Sequence, residues 1–126
     1  MSSDSDFLRK LASIIGASGV ALGALGSHAL KETLTKRATL ASWQTATIYQ
    51  IFHATAILAL AANTDKVPPL AGKLMAAGTL LFSGSIYGLS LGIGPRYILG
   101  PTTPIGGLLM IGGWIMVGTG TEGKKD

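Results

Sequence analysis

The sequence predicts an all-α membrane protein: a single domain, 1–126, of four transmembrane helices, with a short amphipathic interfacial helix between the first and second. Three observations carry this. Only 13% of the 126 residues are charged, whereas 48% are hydrophobic and 18 are glycine; a soluble domain carries roughly a quarter charged residues. The charges gather at the two ends and in short islands. Between those islands lie four long runs without a single charge. Four such runs leave almost no polar face for water, so a soluble helical core does not suit them.

The first span covers about 11–27. Its helix would rise roughly 26 Å, close to the hydrocarbon thickness of a bilayer. Arg9 and Lys10 ahead of it, with small residues at its end, imitate a signal peptide. The run is longer than a signal core and filled with glycine, so it reads as a retained helix. Asp4 and Asp6 argue against a mitochondrial presequence, which is poor in acids.

After it, Lys31, Glu32, Lys36 and Arg37 alternate with Leu34 and Leu40. Leucines at helical spacing among charges predict a short helix lying in the interface. The second span, 43–62, and the third, 74–91, are long enough to cross, and Asn63 to Pro69 between them reads as a turn. Gly92 to Pro101 is rich in glycine and proline and is expected not to be a regular helix throughout.

The fourth span, 104–118, is expected to start at Thr103 and Pro104, a cap residue followed by proline at the first helical position. About fifteen residues give only roughly 22 Å of helix. Either Tyr97 to Thr102 also lies at membrane depth, or the helix leans on neighbours where the bilayer is thin.

An even number of spans puts both ends on one side. Arg9, Lys10, Lys66, Lys73, Lys124 and Lys125 belong to that side, against Lys31, Lys36, Arg37 and Arg96 on the other. This small excess favours termini in the cytoplasm or matrix.

Cysteine is absent, which excludes disulfides, thiolate metal sites and cysteine nucleophiles. The net charge is +4, but the cations form pairs beside apolar runs instead of one stripe. That placement suits membrane lipids and excludes a nucleic-acid reader.

Small residues supply the packing code in lipid, where hydrophobic drive between helices is slight. Gly16, Gly19, Gly23 and Gly26 form one stripe on the first helix, and Gly84, Gly88 and Gly92 another on the third. Gly106, Gly107, Gly112, Gly113 and Gly118 thin the fourth. These faces serve either contacts inside one bundle or contacts with other membrane subunits or a second copy; internal packing is the favoured reading.

Polar groups at membrane depth are the candidates for chemistry. His28, Tyr49, Gln50, His53, Ser83 and Ser85 are expected to be buried. His28 and His53 on neighbouring helices are the residue types that bind haem or a metal, yet no third ligand or carboxylate partner accompanies them. A hydrogen-bonded histidine inside the bundle is the expected role. Trp43, Tyr97 and Trp114 suit headgroup anchoring or packing. Glu32, four residues after His28, and Arg96 are expected at the interface. Gly118, Gly123 and Lys124 match part of a phosphate loop, but Lys125 stands where Ser or Thr is needed. No metalloprotease helix, nucleophile elbow or carboxylate pair occurs. No catalytic, cofactor or metal site is therefore expected.

The segments Gly23 to Leu30, Trp43 to Ala54, Phe82 to Tyr87 and Thr103 to Trp114, taken together and in this order, resemble the transmembrane protein 256 family, also called the domain of unknown function 423 family. The first segment departs from the family pattern at Leu25 and Ser27, where an aromatic residue and alanine are usual. The resemblance implies a small multi-span protein of the bacterial inner (plasma) membrane or, in eukaryotes, of the mitochondrial inner membrane. It implies no assigned reaction. It also places His28, Tyr49, Gln50, His53, Ser83 and Ser85 in signature segments.

Three functions compete. A non-catalytic structural or accessory subunit of a larger membrane complex, a respiratory one among the options, suits glycine faces and short loops. A small oligomeric transporter or channel would use Gln50 and His53, but no span carries the midspan charge such proteins generally use. A haem- or quinone-binding redox protein would need His28 and His53 together.

Overall fold

A computed structural model of the chain describes residues 3–120, which form five helices and no strand. The helices are α1 (Ser3–Ser27), α2 (Lys31–Lys36), α3 (Leu40–Ala61), α4 (Pro69–Leu91) and α5 (Arg96–Thr119). The four long helices run up, down, up, down. Packing partners fix that order: Gly16 meets Ala54 while Gly26 meets Trp43, and Gly113 meets Met75 while Gly106 meets Phe82. α1 lies on α3, α3 on α4 and α4 on α5.

Length and composition qualify three helices as membrane spans: α1, α4 and α5. α3 is 22 residues long and carries no charged residue, but it is not among the three. Gln44, Tyr49, Gln50 and His53 break up its apolar run, so the expected second span, and with it the count of four, is not confirmed by hydropathy.

Local chemistry explains most boundaries. Asp4 and Asp6 occupy the first turn of α1, where carboxylates suit the positive end of the helix dipole. Asp4 also reaches Lys73 of α4 at 3.5 Å. α2 is shorter than the amphipathic stretch suggested. It ends because Ala38 takes a left-handed conformation (φ 58°), which lets the Thr39 N–H bond back to the Leu34 carbonyl at 2.9 Å. Leu34 is fully buried and pins α2 to the bundle. Pro69 takes the first helical position of α4. At the other end Gly92 is left-handed (φ 70°), and the Ile93 N–H reaches the Gly88 carbonyl at 2.8 Å.

The start of α5 is a correction. The helix begins at Arg96, not at Pro104, and encloses both Pro101 and Pro104. Each proline removes one N–H, leaving the Tyr97 and Gly100 carbonyls without their helical donor. Such a loss is tolerated in membrane helices when local adjustments and neighbours compensate. α5 thereby reaches 24 residues, about 36 Å, and the span too short on sequence grounds is long enough.

The apolar core fills the half of the molecule that holds the start of α1. Leu8, Ala12 and Ile15 of α1 meet Ile57 and Leu60 of α3 and Met75 of α4 there. Outward-facing residues are also apolar, including Ile14, Val20, Phe52, Leu80, Leu108 and Ile115. A surface of this kind is suited to acyl chains. At the two ends stand separate sets of cations: Arg9, Lys10, Lys66 and Lys73 at one, Lys31, Lys36, Arg37 and Arg96 at the other.

Candidate functional site

The polar side chains of α3 converge on its neighbours. Gln50 is buried, and its amide nitrogen donates to the Ile15 carbonyl at 3.0 Å and to Ser18 Oγ at 2.8 Å, both on α1. On the other side the Tyr87 hydroxyl of α4 donates to Gln50 Oε1 at 2.5 Å. One amide therefore ties three helices. One turn earlier, Ser83 of α4 donates to the Ala46 carbonyl at 2.7 Å. Trp43 closes the row: its indole N–H donates to the Leu22 carbonyl at 2.8 Å, and its ring lies 4.6 Å from that of Tyr87.

His53 is also buried. Its Nδ1 is 2.8 Å from the Tyr49 carbonyl, and the Trp114 indole N–H of α5 donates to Nε2 at 3.0 Å. A carbonyl only accepts and an indole N–H only donates, so the proton sits on Nδ1 and the lone pair on Nε2 faces Trp114. Both ring nitrogens are occupied, which leaves neither for a metal in this arrangement. Among the described residues no group of three or more His, Cys, Asp or Glu side chains is placed to hold a metal.

Other candidates lie elsewhere. Ser85 is buried, donates to the Phe82 carbonyl at 3.0 Å and shares a 2.5 Å hydrogen bond with Thr103 of α5. Two expected burials are corrected. His28 is exposed because α1 stops at Ser27, just before it. Tyr49 is 42% exposed, its ring tilted against that of Phe82 at 4.7 Å on the outer edge of α3. His28 lies beyond the level of Trp43, which is ten residues, or about 15 Å of helix rise, from His53. The structure does not bring the two histidines together.

Gly16, Gly19, Gly23 and Gly26 all face α3. A Cβ on Gly26 would stand 2.5 Å from the Trp43 ring, and one on Gly19 would stand 2.9 Å from Ile51. On α4, Gly84 faces open space, Gly88 faces Leu99, and Gly92 is the helix stop. Besides Gly88, the α4–α5 contact rests on Gly78, Gly106 and Gly113, where backbone meets backbone or Met75. A Cβ on Gly78 would stand 2.6 Å from the Gly106 carbonyl, and one on Gly113 2.9 Å from the Ala71 carbonyl. Gly78 was not singled out in the sequence because it has no partner glycine four residues away; its partners lie on another helix.

Outside this network an apolar groove of about 490 Å³ runs between α3, α4 and α5, walled by Tyr49, Phe52, Phe82 and Trp114. Sequence reasoning did not single out Tyr87, which is the α4 end of the Gln50 network. Its position four residues after Ser83 on the same helix was the available signal. The phosphate-loop-like motif from Gly118 to Lys125 lies outside the described residues beyond Gly120.

A family model described as "Protein of unknown function (DUF423)" matches residues 22–107. The chain is 43% identical over 87 residues to a UPF0382 membrane protein of Schizosaccharomyces pombe, covering 64% of this chain and 70% of that relative. It is 41% identical over 92 residues to the UPF0382 inner membrane protein YgdD of Escherichia coli, covering 69% of each. It is 39% identical over 77 residues to the UPF0382 membrane protein YwdK of Bacillus subtilis, covering 57% of this chain and 62% of that one. No solved structure matches.

Proposed function

The chain belongs to the DUF423 family and is a small integral membrane protein, and from that premise we propose that it crosses the bilayer four times as a non-catalytic structural or accessory subunit of a larger membrane assembly. The observation that carries this reading is the occupation of the interior polar groups. Gln50, His53, Ser83, Ser85 and Trp43 are each engaged in a hydrogen bond to a neighbouring helix. Their chemistry holds helices together and leaves the outer surface to do the protein's work. That surface is apolar and suited to lipid or to other membrane helices.

The crossing that completes the four is α3, the second in chain order. It runs antiparallel between α1 and α4, matches their length, and turns its polar side chains toward them. A bundle of this topology keeps both termini on one side, and the cytoplasm or matrix is the side we assign. The membrane is the inner (plasma) membrane in a bacterium and the inner mitochondrial membrane in a eukaryote. The Escherichia coli relative's description as an inner membrane protein supports that placement.

Purification of the full chain in mild detergent, followed by native electrophoresis, tests the role. Co-migration with a large complex of reproducible subunit composition is expected. A free homo-oligomer that moves solute across liposomes would overturn it in favour of a transporter.

A further inference from the structure

The end of the bundle opposite the termini holds a cavity of about 900 Å³ among the start of α3, the end of α4 and the start of α5. Arg37 and Arg96 both line it, and no Asp or Glu does. The ion pairs among the described residues are Arg9–Asp6, Lys36–Glu32 and Lys73–Asp4, so neither arginine has an acidic partner there. Arg37 is held in place. Its Nε donates to the Ser90 carbonyl at 2.9 Å, and Thr39 Oγ1 donates to the same carbonyl at 2.8 Å. The guanidinium lies over Gly92, where any side chain would collide with it. With Nε engaged, its terminal nitrogens remain as donors.

Ser90 supplies an independent observation. It lines the same cavity, is 1% exposed, and its hydroxyl is the one buried side-chain polar atom among the described residues without a hydrogen-bond partner. A buried hydroxyl whose bond is unmade destabilises the fold unless something completes it. Beside two unpaired arginines, the completing group is an anion with several acceptor oxygens. Arg96 opens α5, so the positive end of that helix dipole adds to the same field. The lining also offers apolar contact at Ile86, Leu89 and Pro104, interspersed with the hydroxyls of Ser42, Thr45 and Thr103.

We infer that this cavity binds a phospholipid, with its phosphate between Arg37, Arg96 and the Ser90 hydroxyl and an acyl chain along Ile86, Leu89 and Pro104. Charge and orphan hydroxyl select the phosphate. The apolar side chains of the lining, at the end of helices long and apolar enough to span the bilayer, select a lipid over a free phosphate ester.

Native mass spectrometry of the full chain in detergent, titrated with three short-chain probes, tests this. Dihexanoyl phosphatidylglycerol is the lipid, dihexanoylglycerol lacks the phosphate, and glycerol 3-phosphate lacks the tails. Phosphatidylglycerol is expected to bind at least tenfold more tightly than either fragment. Arg96→Gln should weaken it about tenfold, and Ser90→Ala by a few-fold. Arg96 makes no side-chain bond that holds the fold, so its variant stays folded even where Arg37→Gln loosens the α2–α4 tie. Equal binding of dihexanoylglycerol, or undiminished phosphatidylglycerol binding by Arg96→Gln, would overturn the site. Equal binding of glycerol 3-phosphate would overturn its assignment to a lipid.

Discussion

Gln50 and Tyr87 offer the sharpest quantitative test of the polar network. Gln50→Leu keeps the side chain's bulk and removes three hydrogen bonds at once. Two of the partners remain satisfied: Ser18 Oγ still donates to the Ile14 carbonyl, and the Ile15 carbonyl also accepts from Ser18. Only the Tyr87 hydroxyl is stranded. Interhelical hydrogen bonds in membrane proteins average about 0.6 kcal/mol each, with a ceiling near about 1.7, so Gln50→Leu should cost about 2 kcal/mol. Tyr87→Phe breaks one of the three and should cost about 0.6–1.7 kcal/mol. Because that bond is shared, the double variant should cost less than the sum of the two by about the same 0.6–1.7 kcal/mol. The assay is reversible unfolding in mixed micelles of rising SDS fraction, read by far-UV circular dichroism and by tryptophan fluorescence. Trp43 lies 4.6 Å from Tyr87 and should report the loss locally. Strict additivity, with coupling below about 0.3 kcal/mol, would show that the two side chains do not meet and would refute the network.

The same assay tests two further points. Gly26→Ala sets a methyl 2.5 Å from the Trp43 ring and should push the indole off the Leu22 carbonyl, at about 1–3 kcal/mol. Gly23→Ala, whose nearest neighbour is 3.9 Å away, should instead stabilise by about 0.5–1 kcal/mol, because alanine loses less backbone freedom in a helix interior; equal effects would mean that α1 does not sit on α3 as described. Ala38→Gly should stabilise. It relieves a left-handed alanine, a cost of about 1–2 kcal/mol, against an unfolded-state entropy penalty of about 0.4–1 kcal/mol. A net gain of about 0.5–1 kcal/mol is expected, and a lower unfolding midpoint for Ala38→Gly would contradict the conformation at that turn.

Part of the site was legible in the residues. The glycines of α1 recur at intervals of three and four, and such spacing leaves them on one side of a helix whatever that helix meets. Gln50, His53, Ser83 and Ser85 stand within apolar runs, and a polar group there must find a partner. The sequence could not say which partner. Tyr49 and His53 share a helix face by spacing, yet one is turned out and the other in. Thr103 and Pro104 carry every mark of a helix start, and only the helix running through them from Arg96 shows otherwise. Local signals of this kind are the same for a true start and for an interior proline whose lost bond is tolerated.

What the sequence by itself determined is the solvent: charge-free runs long enough for a bilayer, with charges between them. Solvent preference accumulates residue by residue and needs no knowledge of neighbours. Pairing was decided only by the tertiary structure. Gly78 matters because Gly106 stands opposite, Gln50 because Tyr87 and Ser18 flank it, and Arg37 and Arg96 because α4 ends where α5 begins. Contacts between small residues and hydrogen bonds between helices depend on two positions at once, tens of residues apart. That dependence is a property of the packed bundle and of no segment in it.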